Sequence, residues 1–132
     1  MFAFECLLKK YKMKATIFII GVSVGHTQYY KDTNFYLTPH FTWEQGREMV
    51  ASGVIDLQCH TYDMHQWETF EKVQPIRKNI LPLEGETELQ YTKYVKADLL
   101  QFQKEYLAEI GKKPYVLAYP GGEHNELSEK VV

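Results

Sequence analysis

Three short apolar runs, separated by longer amphipathic stretches, organise this chain. Residues 15–20 read Ala-Thr-Ile-Phe-Ile-Ile, a β-branched and aromatic string that predicts a buried strand. Residues 54–59 and 115–119 (Tyr-Val-Leu-Ala-Tyr) predict two more. Between them the period changes to that of helices. Phe4, Leu7, Leu8 and Tyr11 recur at helical spacing and predict a helix over residues 2–11. Thr42-Trp43-Glu44-Gln45 has the form of a capping box and opens a helix that should stop near Gly53. Thr87-Glu88-Leu89-Gln90 is a second such box, and its helix runs to about Ile110 with Gly111 as the stop. Tyr91, Tyr94, Leu99, Phe102 and Tyr106 recur along that helix and predict its core face. Asn125 can cap a last helix. Residues 21–41 and 60–85 read as loops, the second broken by Pro75 and Pro82.

Strands alternating with helices imply βαβ units and a mostly parallel sheet. Ligands of such folds bind at the C-terminal ends of the strands. Here those ends deliver Gly21 and its loop, then the segment from His60 to His65, then Pro120-Gly121-Gly122-Glu123-His124. All three emerge on one face.

Composition narrows the class. A chain of 132 residues suggests one domain, long enough for a core but short for a full barrel. With 45% apolar residues it should fold. A net charge of -2 argues against a nucleic-acid surface. The longest apolar stretch, residues 15–25, is too short to span a bilayer, and the N-terminus lacks the order of a signal peptide. Cys6 and Cys59 provide no disulfide framework; both fall in apolar segments and read as buried thiols.

The candidate chemistry is in Cys59-His60-Thr61-Tyr62-Asp63-Met64-His65. Imidazole is the commonest side-chain ligand for zinc-like metals. Five residues of helix turn the chain through about 500°, which would point the two rings about 140° apart. A loop leaving a strand end can instead fold back and bring them to one ion. Thr61 is expected to shape that turn and Asp63 to form an Asx-type turn. A rival role for Asp63, or for Glu123, is a further metal ligand. Asp56 lies mid-strand and should be paired if buried. Glu123 and His124 read as surface loop residues, and His26 and His40 as structural or solvated. Tyr29, Tyr30, Phe35, Tyr36 and Trp67 either offer stacking faces to a ligand or form a lid over the strand ends.

Three segments, LLKKYKMKATIFIIG, FTWEQGREMVASGVIDLQCHTYDMH and GKKPYVLAYPGGEHNE, together resemble the polysaccharide deacetylases, metal-dependent carbohydrate esterases with a NodB-type homology domain. The HTYDMH spacing is most similar to the branch acting on poly-N-acetylglucosamine. The resemblance implies a distorted (β/α) barrel, present here as a partial barrel of mostly parallel strands alternating with helices. It implies that His60 and His65 bind a divalent metal, zinc foremost. It also implies that Tyr119, Pro120 and Gly122 line the substrate groove, and that the Gly121 backbone N–H contacts the oxyanion. The implied reaction removes N-acetyl groups from a polymeric amino sugar, in an extracytoplasmic or cell-surface setting. The chain departs from the family pattern in three ways. It has no Asp-Asp pair, where the family places a general base and a third ligand. Gly121 stands where a Tyr is usual. The family's later segments, with a supporting Asp and a catalytic His, would follow Val132. Residues 1–132 are therefore expected to form one deacetylase domain, short at both ends, impaired in turnover, with sheet edges open to self-association. The rival reading is a non-catalytic fragment or pseudoenzyme that retains metal or sugar binding.

Overall fold

The apolar runs come together as one parallel layer in the computed structural model, which describes residues 3–132. Strand β1 (Ala15–Ile19) pairs in parallel with β2 (Ile55–Cys59), with Ala15 opposite Ile55 and Ile19 opposite Cys59. Side chains alternate across a strand. Ile17, Ile19, Ile55, Leu57 and Cys59 therefore share one face, and Phe18 and Gln58 the other.

The third expected strand is reduced to a single parallel bridge between Cys59 and Leu117. Cys59 N–H donates to Val116 O at 3.1 Å, and Ala118 N–H donates to Cys59 O at 3.0 Å. The ladder extends no further because Gln58 intervenes. Its buried amide oxygen accepts the N–H groups of Tyr115 and Val116 at 3.0 and 3.1 Å. Pro114, just before them, has no N–H to offer. The segment still lies beside β2, so its C-terminal end reaches the same place a strand would.

Four helices follow the predicted pattern: α1 (Ala3–Lys10), α2 (Trp43–Ala51), α3 (Glu88–Ile110) and α4 (Glu126–Val131). Reciprocal capping boxes open α2 at Thr42/Gln45, α3 at Thr87/Gln90 and α4 at Asn125/Ser128. Gly111 ends α3 at φ 79°, a left-handed conformation that a side chain would strain. Helices α2 and α3 cover the aliphatic face of the sheet. Met49, Phe102 and Tyr106 join Ile19, Ile55, Leu57 and Cys59 in the main core. The Tyr106 hydroxyl donates to Leu57 O at 2.6 Å, which satisfies a polar group that the core would otherwise strand. A second cluster, Met64, Ile80, Tyr91 and Val95, fastens the long 60–85 loop to α3. The buried stripe of α3 is Tyr91, Val95, Asp98, Phe102 and Tyr106. Of the residues expected there, Leu99 is half-buried and packs against both clusters, while Tyr94 is 39% exposed and lies off the stripe.

One further expectation, which lies on α1, needs correction. Helix α1 has its apolar spacing, but Phe4, Leu7 and Tyr11 are exposed and only Leu8 packs on the core; the expected first residue, Phe2, lies outside the described residues. Cys6 is exposed rather than buried. Two residues turn a helix through about 200°, so Cys6 points away from the sheet that Leu8 faces. No helix among the described residues is long and apolar enough to cross a membrane.

The two thiols should therefore react differently. Burial pushes the Cys59 thiol up to about 12, so almost none of it is thiolate at mildly alkaline pH. Alkylation of the native protein followed by peptide mass spectrometry should label Cys6 and spare Cys59 until denaturant is added. Equal native labelling of both would show that the end of β2 is open.

Candidate functional site

The site is built where β2 ends. The N–H of His60 donates to Ile19 O at 2.9 Å, which carries the strand pairing one residue past Cys59. The chain then turns at Thr61, at φ 68°. A β-branched residue in this region costs on the order of 1–3 kcal/mol, so the surroundings must hold it. They do so with several hydrogen bonds. Gly21 and Val22 donate their N–H groups to Thr61 O and Tyr62 O at 3.1 and 3.0 Å. Thr61 Oγ1 accepts from Met64 N at 3.1 Å, the turn-shaping role expected of it. The Asp98 carboxylate reaches over from α3 and accepts the N–H groups of Tyr62 at 2.7 Å and Asp63 at 2.8 Å. The fully buried Met64 anchors the return. The loop thus brings His65 back beside His60, with ring centres 5.3 Å apart and planes 75° to each other.

Both rings are oriented from behind. His60 Nδ1 is 2.8 Å from Ala118 O, and His65 Nδ1 is 3.1 Å from Lys78 O. A carbonyl oxygen only accepts, so each Nδ1 carries a hydrogen, and in the neutral ring the lone pair then lies on Nε2. Burial, then the neighbouring His65, hold the His60 pKa below its ordinary value, which favours the neutral, ligating form. This donor set fits a zinc-like ion as far as it goes. Two imidazoles about 2 Å from one tetrahedral ion have ring centres about 5 Å apart. No group of three His, Cys, Asp or Glu side chains among the described residues is placed to hold a metal, so the pair supplies half of a tetrahedral set.

Asp63 is engaged elsewhere. Lys31 lies 2.8 Å from its carboxylate and also pairs with Glu71, which in turn accepts from the Tyr30 hydroxyl. This ion pair, rather than the expected Asx turn, fixes Asp63. Burial raises the Asp63 pKa against the opposing pull of Lys31. A cavity of about 240 Å³ opens beside the pair, its walls including Ser23, Tyr30, His40, Asp63, His65 and Trp67. Trp67 is 54% exposed, with its ring centre 6.2 Å from that of His65. The tyrosine-rich loop thus forms one wall of the cleft. His40 is part of that wall, although no sequence pattern marks it. Asp98 could have been noticed, because it is an acid on the apolar stripe of α3.

The glycine turn is joined to the site through Ala118. Ala118, whose carbonyl orients His60, precedes Tyr119-Pro120-Gly121-Gly122. Gly121 and Gly122 have φ values of 67° and 72°, which glycine adopts without a Cβ penalty. The turn's own bonds use the N–H groups of Gly122, to Tyr119 O at 2.9 Å, and of Glu123, to Pro120 O at 3.3 Å. Tyr119 stacks on His124 with ring centres 5.1 Å apart, and His124 Nδ1 is 2.7 Å from Glu129. Glu123 is exposed. Asp56, as expected, is paired, with Lys112, the Tyr115 hydroxyl and Gln58.

Residues 3–132 match the polysaccharide deacetylase family over their whole length, and the chain belongs to that family. Among solved structures it is similar to IcaB from Ammonifex degensii, at 26% identity and a TM-score of 0.69, covering 96% of this chain and 47% of that one. The fold is also that of the BpsB deacetylase domain from Bordetella bronchiseptica, with a TM-score of 0.75 at 21% identity over 98% of this chain and 53% of that one. The Bacillus subtilis protein YxkH, provisionally named a polysaccharide deacetylase, is 46% identical over 57 residues, 43% of this chain and 16% of its own length. The fold is accordingly α/β, a partial barrel of the deacetylase type with parallel strands. The chain spans about half the length of the solved deacetylases it matches.

Asp98 gives the site a test. An amide at this position can accept one of the two N–H groups but presents a donor to the other, and a stranded buried donor costs about 1–3 kcal/mol. Asp98→Asn should destabilise the fold by that amount in urea melts. Burial, the largest cause, raises the Asp98 pKa above its ordinary 3.8. A carboxyl raised in the folded state contributes stability that is full below the unfolded pKa and is lost as pH rises through the folded one. The gap between wild type and variant should therefore narrow as pH rises from 3.8 through that value. A gap that widens would show the ionised form to be the better bound.

Proposed function

We propose that this chain carries part of the active centre of a polysaccharide deacetylase, which hydrolyses the N-acetyl groups of a polymeric amino sugar. The observation that carries the reading is the anchored pair, His60 and His65, whose rings lie 5.3 Å apart at the C-terminal end of a parallel layer. Each presents Nε2 and would hold one divalent ion, most simply zinc. When bound, such an ion polarises the amide carbonyl and acidifies a water. The carbonyls of Ala118 and Lys78 keep the two imidazoles in the ligating tautomer. The Gly121 N–H, outside the turn's own hydrogen bonds, is the candidate oxyanion donor, and Tyr119, Pro120 and Gly122 the candidate groove wall. Exposed Trp67 offers an aromatic face for a sugar ring. The extracytoplasmic setting implied by the family belongs to the same reading.

The chain's own residues supply these parts unevenly. Asp63, the carboxylate that shares the cavity with His65, is neutralised by Lys31 and is not poised as a base. Loss of a positioned general base typically lowers a rate by about 10²–10⁴. This favours a second reading, in which the chain binds metal and sugar without appreciable turnover.

Calorimetric titration with zinc should show one weak site in the wild type, weakened at least tenfold in His60→Ala and again in His65→Ala. Variants that bind zinc as the wild type does would remove the metal assignment. Acetate release from an N-acetylated polymer then separates the two readings. Turnover that depends on both histidines supports the enzyme; zinc and oligosaccharide binding with no acetate supports the binding module.

A further inference from the structure

We infer that the large cavity on the far side of the 63–67 segment binds a second, neutral sugar unit of the same N-acetylated polymer. The inference rests on the deacetylase reading above and extends it to the length of substrate the protein grips. This cavity has a volume of about 930 Å³, against about 240 Å³ for the one beside His65. It falls within the range of roughly 300–1,000 Å³ usual for ligand sites. Asp63 lines both cavities; Gln66 lines the large one, while His65 and Trp67 line the small one. One short segment is therefore the wall between them, and a polymer seated at the histidine pair has to cross it.

The lining selects the class of ligand. Four carboxylates border the cavity, from Asp63, Glu71, Glu84 and Glu86, with two cations, Arg77 and Lys93. Asp63 and Glu71 are paired with Lys31, and Glu86 with Arg77. Lys31 offsets only one of its two carboxylates, so with Glu84 and Lys93 the lining sums to a single net negative charge, which disfavours a polyanion and is too small to select a polycation. Val73, Leu83 and Ala97 offer apolar surface for the C–H face and acetyl methyl of a hexosamine. The Gln74 amide can both donate and accept, as sugar hydroxyls require, and Gln90, whose Oε1 closes the α3 capping box, still has its NH2 to donate. Arg77, 4% exposed, lies with its guanidinium carbon 3.8 Å from the centre of the Tyr94 ring. Its Nη1 is buried without a hydrogen-bond partner among the described residues, so a small rotation of the guanidinium toward the cavity would give that donor a partner in an acetamide carbonyl.

The test is affinity against oligomer length. N-acetylglucosamine oligomers of two to five units, in β-1,4 and β-1,6 linkage, are titrated into the intact chain by calorimetry. Affinity should rise at least tenfold from the shortest to the longest in the preferred linkage. Ala97→Trp, on an exposed position of α3 that lines the cavity, should bring the five-unit affinity down to that of the two-unit ligand, with the fold checked by circular dichroism. In the wild type, amide NMR shifts at Val73 and Gln90 should respond to the five-unit ligand and not to the two-unit one, a readout that holds if the variant folds poorly. Affinity independent of length, with the short ligand bound normally, or a rise that survives Ala97→Trp, would overturn the second subsite alone. Failure of every oligomer to bind would overturn the deacetylase-site reading with it.

Discussion

The Asp98 carboxylate, buried on α3 between Val95 and Phe102, accepts the backbone N–H groups of both Tyr62 and Asp63. Burying a charge is costly unless it is hydrogen-bonded, and burying two backbone donors is costly unless they are accepted. One group settles both demands. It also holds in place the left-handed Thr61, which reverses the chain after β2. Three features depend on that reversal: the return of His65 to His60, the seat of Met64 in the second core cluster, and the wall that divides the two cavities.

A second constraint acts on the other side of the loop. Lys31 is inserted between Asp63 and Glu71 and lies over the Tyr30 ring. The three side chains are partly buried, so breaking the pair would leave a charge incompletely solvated. Here the pair ties the tyrosine-rich 21–41 loop to the histidine loop, and His40 from the first and Trp67 from the second line the same small cavity. It also pairs the Asp63 carboxylate that lines that cavity, so the same contact shapes the cleft and sets the charge along its wall.

The sheet is finished on one side only. Helices α2 and α3 cover the face of Ile17, Leu57 and Cys59, while Phe18 on the opposite face is exposed. That opposite face is not simply bare. Gln58, Asp56, Lys112 and Tyr115 form a polar network at its lower end, and the Gln58 amide stands in for ladder bonds the Tyr115 segment does not make. Conserving hydrogen bonds by side chain rather than by strand keeps that segment in place without lengthening the sheet.

Local rules were enough for the elements themselves. The capping boxes at Thr42 and Thr87, the Asn125 cap and Gly111 act within a few residues, so the sequence determined where α2, α3 and α4 begin and where α3 ends. The apolar runs determined β1 and β2, and with them the expectation that His60 and His65 leave a strand end. The third strand was misread because its fate depended on Gln58, a residue 57 positions from Tyr115, and no local period records such a bond. Cys6 and Tyr94 were misplaced because spacing gives a helix an apolar side but does not say which ridge meets the sheet. The partners of the histidines, Ala118 O and Lys78 O, lie 58 and 13 residues away from them. Only the tertiary structure could choose those partners, the Asp98 fork and the Lys31 clamp, because each joins groups brought together by packing rather than by sequence.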